Sequence, residues 1–461
     1  MNIEELRNKK ISVIGAERSG VAVALLLHSK NANVFVSDFG KSESTQQHIT
    51  ELRRSNIECE FGGHSERVYN CSLMVISPGV PMNAPVVVEA QKRGIKVVAE
   101  IEVASWFCKG SIIAITGSNG KTTTTTLLGR IFSDAKKKHV VAGNIGTAFS
   151  SLVLDVDQET VVVLEVSSFQ LDFIDTFRPN IAVILNITQN HLDRYDNSME
   201  KYAESKMRIV MNQTADDILI CNATDEWTKR KVQNAKSKVY QFNITRNIEN
   251  SAFAEDGILK TKIANDVQPI IAIDDISIKG EHNLQNAMAA TLAAQLVGVK
   301  PAYIKSTLRN FKGVEHRQEF VREVNGIKYV NNSKATTVEA VEMSLKSYDE
   351  PIVLVMGGKD KGNDYSTIYD LVKQKVKAIV ATGDSADIIV KNFENKVAVR
   401  KVETIGEMKP NVESMQKTID MATSLAAKGD VVLLSPACTS FDWFKDYEER
   451  GIIFKQLVNR L

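Results

Sequence analysis

An α/β fold in three successive parallel-sheet domains is what this sequence predicts, and three observations predict it. Short apolar runs of strand length, such as ISVI, VVVLEV and IVLVMG, alternate with helical stretches along the whole chain. Two of these strands run straight into a glycine-bracketed turn and then a helix, at residues 11–30 and again at 111–132. Finally, 461 residues exceed what one hydrophobic core can cover.

The first segment, residues 1–109, opens with strand ISVIG, turn AERSG, helix VAVALLLHSK and strand ANVFVSD ending at Asp38. That is a Rossmann-like βαβ unit, which SLMVIS (72–77) and KVVAE (96–100) extend into a parallel sheet. The second segment, 110–313, carries SIIAIT before TGSNGKTT, then strands TVVVLEV and NIAVILNIT, and reads as a P-loop-type central ATPase domain. Its stretch 222–265 is more polar and predicts short strands and loops at an edge; helix NLQNAMAATLAAQLVG (283–298) closes it. The third, 314–461, repeats the strand–helix alternation with IKYVN, PIVLVMG, KAIVAT and DVVLLS, a second Rossmann-like domain.

Charge is balanced, 57 basic against 56 acidic side chains, so no strong field favours nucleic acid or a membrane surface. No apolar run approaches the roughly 18 residues of a membrane span. The five cysteines are scattered without a C-x-x-C pair, which predicts reduced thiols in a soluble, cytoplasmic protein.

In TGSNGKTT, Gly117 and Gly120 let backbone N–H groups turn toward anionic oxygens, and the helix that follows adds its positive end. Lys121 can reach outer phosphates, and the Thr122 hydroxyl can sit on Mg²⁺. The usual G-x-x-x-x-G-K-[ST] form would put glycine where Ile115 stands, so the loop is a shortened one. By contrast, GAERSG places Glu17 where a dinucleotide site needs glycine, which disfavours NAD; Asp38 remains able to accept hydrogen bonds from a ribose or a base.

Glu165 ends an apolar strand about forty residues after the loop and reads as a Mg²⁺ ligand, or else as a cap on the next helix. His191 follows a third strand at the carboxyl end where ligands gather; Lys206 is, on composition, one helical lysine among many. Asn286 opens a helix, to cap it or to meet an adenine edge, and Arg317 is a phosphate clamp or a surface ion-pair member. Three blocks, NNSKATT (331–337), MGGKDKGNDY (356–365) and SPACTSFDWFKDYEERG (435–451), each follow a strand. Their Lys334, Thr336, Lys361 and Ser440 suit a cationic, hydroxyl-lined pocket for a carboxylated molecule.

Together with GNIG (143–146), LEVSSFQL, HLDRY, GEHNLQNA and HRQE, these blocks resemble the Mur ligase family of peptidoglycan synthesis over nearly the whole chain. SPGVP (77–81) and the last two blocks point to the member that adds D-glutamate; an L-alanine- or diamino-acid-adding sibling is the alternative. A P-loop switch that binds ATP without ligation is a further one. The resemblance implies a monomer with ATP, D-glutamate and UDP-MurNAc-L-Ala as its small-molecule partners. Gly117, Ser118, Asn119, Gly120, Lys121, Thr122 and Thr123 would hold phosphates, and Asn286, Arg317 and Asn332 would serve ATP. Thr122 and Glu165 would bind one Mg²⁺ and His191 a second, with Lys206 carbamylated into a metal-directed carboxylate. Asn144 would contact substrate, and Lys334, Thr336, Lys361, Ser440, Phe441 and Tyr447 the amino acid. The UDP end would lie near Ser19, Asp38 and Gly79. Two departures stand out: Asn332 where the family has Asp, and Glu17–Arg18 in place of smaller residues.

Overall fold

The computed structural model describes residues 6–40, 43–144, 146–190, 192–233, 235–242, 249–360 and 362–461. The chain divides into two compact units, Met1–Phe311 and Lys312–Leu461. Among the described residues the first unit holds two sheets and the second unit one. No helix among those residues is long and apolar enough to cross a membrane.

The first sheet comprises β1 (Lys10–Ile14), β2 (Asn33–Asp38), β3 (Glu58–Phe61), β4 (Leu73–Ile76) and β5 (Lys96–Ala99), parallel throughout in the order β3-β2-β1-β4-β5. The strand order reverses between β1 and β4, which opens a crevice at their carboxyl ends.

The second sheet takes β6 (Ser111–Thr116), β7 (His139–Gly143), β8 (Val161–Glu165), β9 (Ile181–Ile184), β10 (Ile218–Asn222), β11 (Lys238–Phe242), β12 (Ser251–Glu255), β13 (Ile258–Ile263) and β14 (Asp266–Ala272). Their order is β14-β13-β12-β11-β10-β9-β6-β8-β7, with only β12, β13 and β14 pairing antiparallel. β6 is apolar on both faces because both are covered. Ile112 and Ala114 join the core shared with the first sheet, while Ile113 and Ile115 join the opposite core under helix Glu281–Leu296.

The second unit orders β15 (Glu319–Val324), β16 (Ile327–Asn331), β17 (Ile352–Gly357), β18 (Val376–Thr382), β19 (Ala398–Lys401) and β20 (Val431–Leu434) as β15-β16-β20-β17-β18-β19. In β17, Val353 and Val355 face one core and Ile352, Leu354 and Met356 the other.

The apolar strands named from the sequence stand where it puts them, and β11 to β13 lie within the polar stretch 222–265. Strands β3, β7, β10, β14, β15 and β19 are additional, and all of them except β10 lie at a sheet edge. β9 stops at Ile184, four residues short of the expected strand, because Asn186 and Thr188 leave the ladder to bond the phosphate loop.

Within the first unit one buried carboxylate ties the two sheets. Glu102 is 0% exposed; its Oε1 accepts from Trp106 Nε1 (2.9 Å), Thr176 N (2.9 Å) and Thr176 Oγ1 (2.5 Å). Its Oε2 accepts from Asp175 N (2.9 Å) and Phe177 N (2.8 Å). Removing it strands three successive backbone N–H groups. Glu102→Ala is therefore expected to destabilise the protein by about 3 kcal/mol, read as a lower urea midpoint. An unchanged midpoint would refute that role.

Candidate active site

The phosphate loop is set by non-local bonds. β6 delivers Gly117, and Gly120 caps helix Lys121–Asp134 at φ 84°, where a Cβ would come within 2.3 Å of Asn286 Oδ1. Only glycine fits there. Asn286, 4% exposed, accepts from Thr124 Oγ1 at 3.2 Å and donates to Asn283 Oδ1 at 3.2 Å. It thus holds the loop from behind.

Ser118 N donates to Asn186 O (2.9 Å) and Asn119 N to Asn186 Oδ1 (2.8 Å). Ser118 Oγ donates to Thr188 O at 2.9 Å and lies 3.1 Å from Tyr202 Oη. The amides of Ser118 and Asn119 therefore shape the loop. The anion-seeking N–H groups are those of Lys121, Thr122 and Thr123, in the first turn, which has no intrahelical acceptors. Asn186 has no role in the sequence reading; its one signal is an amide residue directly after an apolar strand.

Two ammonium groups converge on one carbonyl. Lys121 Nζ donates to Gly117 O at 2.7 Å and to Ser118 O at 3.0 Å; Lys206 Nζ donates to the same Gly117 O at 2.9 Å. Lys206 is 1% exposed, and its Nζ stands 4.7 Å from the centre of the Tyr202 ring. Ser198 caps its helix, Met199–Met207, accepting from Lys201 N. Burial, then the neighbouring Lys121 charge, pushes the Lys206 amine well below the usual lysine pKa; Asp172 opposes this.

β8 lies beside β6 with Glu165 opposite Ile115, as a parallel neighbour should. Glu165 is 1% exposed; its Oε1 accepts from Asn144 Nδ2 at 2.9 Å, and its Oε2 has no hydrogen-bond partner among the described residues. The next helix is capped by Ser167, whose Oγ accepts from Gln170 N, so Glu165 is not the cap. A buried carboxylate oxygen with no donor fits a hard cation, and Thr122, 7% exposed, opens the adjoining helix. His191 lies outside the described residues.

At the first sheet, Asp38 braces the glycine turn: Oδ2 accepts from Ala16 N and Oδ1 from Gly40 N, each at 2.5 Å. Ser77 Oγ donates to Gly15 O at 3.0 Å, tying the turn to loop 77–81, where Gly79 is open on its Cβ side. Ser19 is half-buried in the following helix. The Glu17 carboxylate lies 4.0 Å from His48 Nδ1.

In the second unit, β16, β20 and β17 are adjacent, so the three C-terminal blocks share one sheet edge. Asn332 N donates to Leu434 O (2.8 Å), Ala437 N to Ala335 O (2.9 Å) and Lys359 N to Thr439 O (2.9 Å). Thr336 is half-buried, Ser440 is 2% exposed and Phe441 is 52% exposed. Lys334 Nζ lies 5.5 Å from the centre of the Tyr447 ring. Arg317 is exposed in a turn closed by its N–H to Val314 O. Lys361 lies outside the described residues. The Asn332 amide points inward: Nδ2 donates to Ser344 Oγ (2.6 Å) and Ser435 Oγ (3.2 Å), and Oδ1 accepts from Gln318 N (3.2 Å). It is 4% exposed, so its bonds serve this unit's own loops.

A helix-start phosphate loop, a buried carboxylate beside it and a Rossmann-type sheet on either side in sequence define an ATP-handling α/β architecture. Family models match its three parts: Mur ligase MurD-like, N-terminal domain over residues 9–99, Mur ligase middle domain over 115–294, and Mur ligase, glutamate ligase domain over 316–438. The chain belongs to the Mur ligase family. Its relatives include the UDP-N-acetylmuramoylalanine–D-glutamate ligase of Chloroherpeton thalassium, 43% identical with 100% of both chains covered. The enzyme of the same name from Salinibacter ruber is 40% identical, again over 100% of both. Solved structures with this fold include MurC from Thermotoga maritima (TM-score 0.59, 20% identity, 98% of this chain and 99% of that one). MurF from Acinetobacter baumannii also matches (TM-score 0.57, 17% identity, 97% and 93%).

Proposed function

We propose that this protein joins D-glutamate to UDP-N-acetylmuramoyl-L-alanine at the expense of ATP, in peptidoglycan precursor synthesis. Residues 1–109 would take the UDP end, 110–313 ATP and 314–461 the amino acid, in a cytoplasmic monomer. The observation that carries this reading is the pairing around one loop of two lysine ammoniums on Gly117 O with the buried Oε2 of Glu165, which has no hydrogen-bond partner among the described residues.

The substrate carboxylate attacks the γ-phosphorus, ADP leaves, and an acyl phosphate forms. The D-glutamate nitrogen then attacks the acyl carbon; a proton leaves the nitrogen, phosphate departs and the amide remains. Lys121 and the first-turn N–H groups position and neutralise the phosphates. Thr122, Glu165 and His191 would hold Mg²⁺, which when bound neutralises charge on the transferring group. Asn144, bonded to Glu165 Oε1, orients that carboxylate and stands ready for substrate. Lys206 attacks the carbon of CO₂ through its neutral amine and loses a proton, giving a carbamate that would pair with Lys121 and face the metal. Its depressed pKa raises the fraction of neutral amine at neutral pH. Thr336, Lys334, Lys361, Ser440, Phe441 and Tyr447 would receive D-glutamate.

The test is phosphate release from ATP with Mg²⁺ and UDP-N-acetylmuramoyl-L-alanine, adding single amino acids. Release with D-glutamate alone is expected. Release with another amino acid and not with D-glutamate would overturn the substrate, and release independent of any amino acid would restore the switch reading.

A further inference from the structure

Under the three C-terminal blocks lies an arginine that the chemistry above does not use. Arg450, on helix Tyr447–Val458, is 3% exposed. Its Nε donates to Ser333 Oγ at 2.9 Å, and its Nη2 donates to Ser333 O at 2.8 Å and Cys438 O at 3.1 Å. Because Ser333 Oγ accepts from the guanidinium, its own proton goes to Tyr447 O, 2.8 Å away. The third nitrogen, Nη1, faces the remaining block: a Cβ on Gly358 would lie 3.2 Å from it and 2.2 Å from Thr439 O. Gly358 has φ +137°, so glycine is required there on both counts.

One planar fork therefore bonds the residue before Lys334 and the residue before Thr439, and lies beside the residue before Lys359. Lys359 and Thr439 are in turn bonded twice, by Lys359 N to Thr439 O and by Thr439 Oγ1 to Lys359 O at 3.1 Å. Arg450 also lines a cavity of about 10 Å³ with Gly357, Gly358, Pro436 and Asp442. Burial pulls its pKa down to about 10, with Asp442 acting the other way, so it stays cationic at neutral pH. A buried cation is kept where its Nε and Nη2 donors have fixed targets, while Nη1 has no hydrogen-bond partner among the described residues.

We infer that Arg450 is a positioning residue for the amino-acid pocket, fixing the relative placement of the 331–337, 356–360 and 435–440 loops without touching the substrate. The inference rests on the reading of those loops as the D-glutamate site. A lysine at 450 keeps the charge and loses the planar fork that joins Ser333 Oγ, through Nε, to the two carbonyls held by Nη2.

In steady-state kinetics on the full chain, Arg450→Lys is expected to raise KM for the amino acid about tenfold or more. KM for ATP and for UDP-N-acetylmuramoyl-L-alanine should stay as in wild type. In Arg450→Gly, millimolar guanidinium should lower the amino-acid KM again, whereas ammonium should not. Should Arg450→Lys fail to fold, Ser333→Ala, which removes the acceptor of Nε, carries the same expectation. A wild-type amino-acid KM, or a loss spread equally over all three substrates, would overturn the inference. The functional reading fails separately, if the wild-type protein shows no D-glutamate-dependent release; Arg450 is then judged on whichever amino acid saturates the wild type.

Discussion

Lys121→Ala is expected to abolish D-glutamate-dependent phosphate release, a loss of about 10³-fold or more. Lys121 is half-buried, and its ammonium is held over the loop by Gly117 O and Ser118 O. It is thus within reach of an anion that displaces those carbonyls. Transfer of a phosphoryl group depends on positioned positive charge, which alanine cannot supply. Alanine is a better helix former than lysine at this first helical position, so folding should persist. The measurement is therefore activity against melting temperature. Lost turnover with an unchanged melting temperature is the expected pair, and retained turnover removes Lys121 from the mechanism.

The second large effect is at Lys206. Lys206→Ala is expected to lose about 10²-fold or more of activity and to recover part of it with a short-chain carboxylic acid such as acetate. Two ammonium groups on one carbonyl repel, and burial adds to the cost of the Lys206 charge. Converting that amine to a carbamate replaces repulsion from Lys121 with attraction. The rescue separates the two roles of the residue: if Lys206 works as a cation, a small amine restores activity and acetate does not. Full activity of Lys206→Ala would dismiss both.

How much was legible in the sequence depends on where each signal sits. The β1 turn, the β6 loop and the β16, β17 and β20 blocks are contiguous strand–turn patterns, and the structure places each at a carboxyl edge of its sheet. Apolar strands buried on both faces, such as VVVLE and IVLVMG, could be read because few other elements tolerate such runs. Edge strands such as Glu58–Phe61 and Ala398–Lys401 escaped, since half-exposed, charged sequences resemble loops. β9 was read too long because Asn186 and Thr188 extend an apolar run in sequence yet bond the loop in space.

The sequence by itself determined the α/β class, the shortened phosphate loop and the three blocks that each follow a strand, all properties of adjacent residues; strand order then brings those blocks to one sheet edge. Tertiary structure decided which polar groups are spent. Ser118 and Asn119 give their amides to Asn186, Asn332 turns inward, and Lys206 and Lys121 share Gly117 O. Arg450 and Glu102 are buried ties between distant segments. A lysine, an arginine or a glutamate on a helix looks the same in sequence whether solvated or enclosed. Burial and partners come from strand order and packing across dozens of residues, and these set both the charge such groups carry and what they hold.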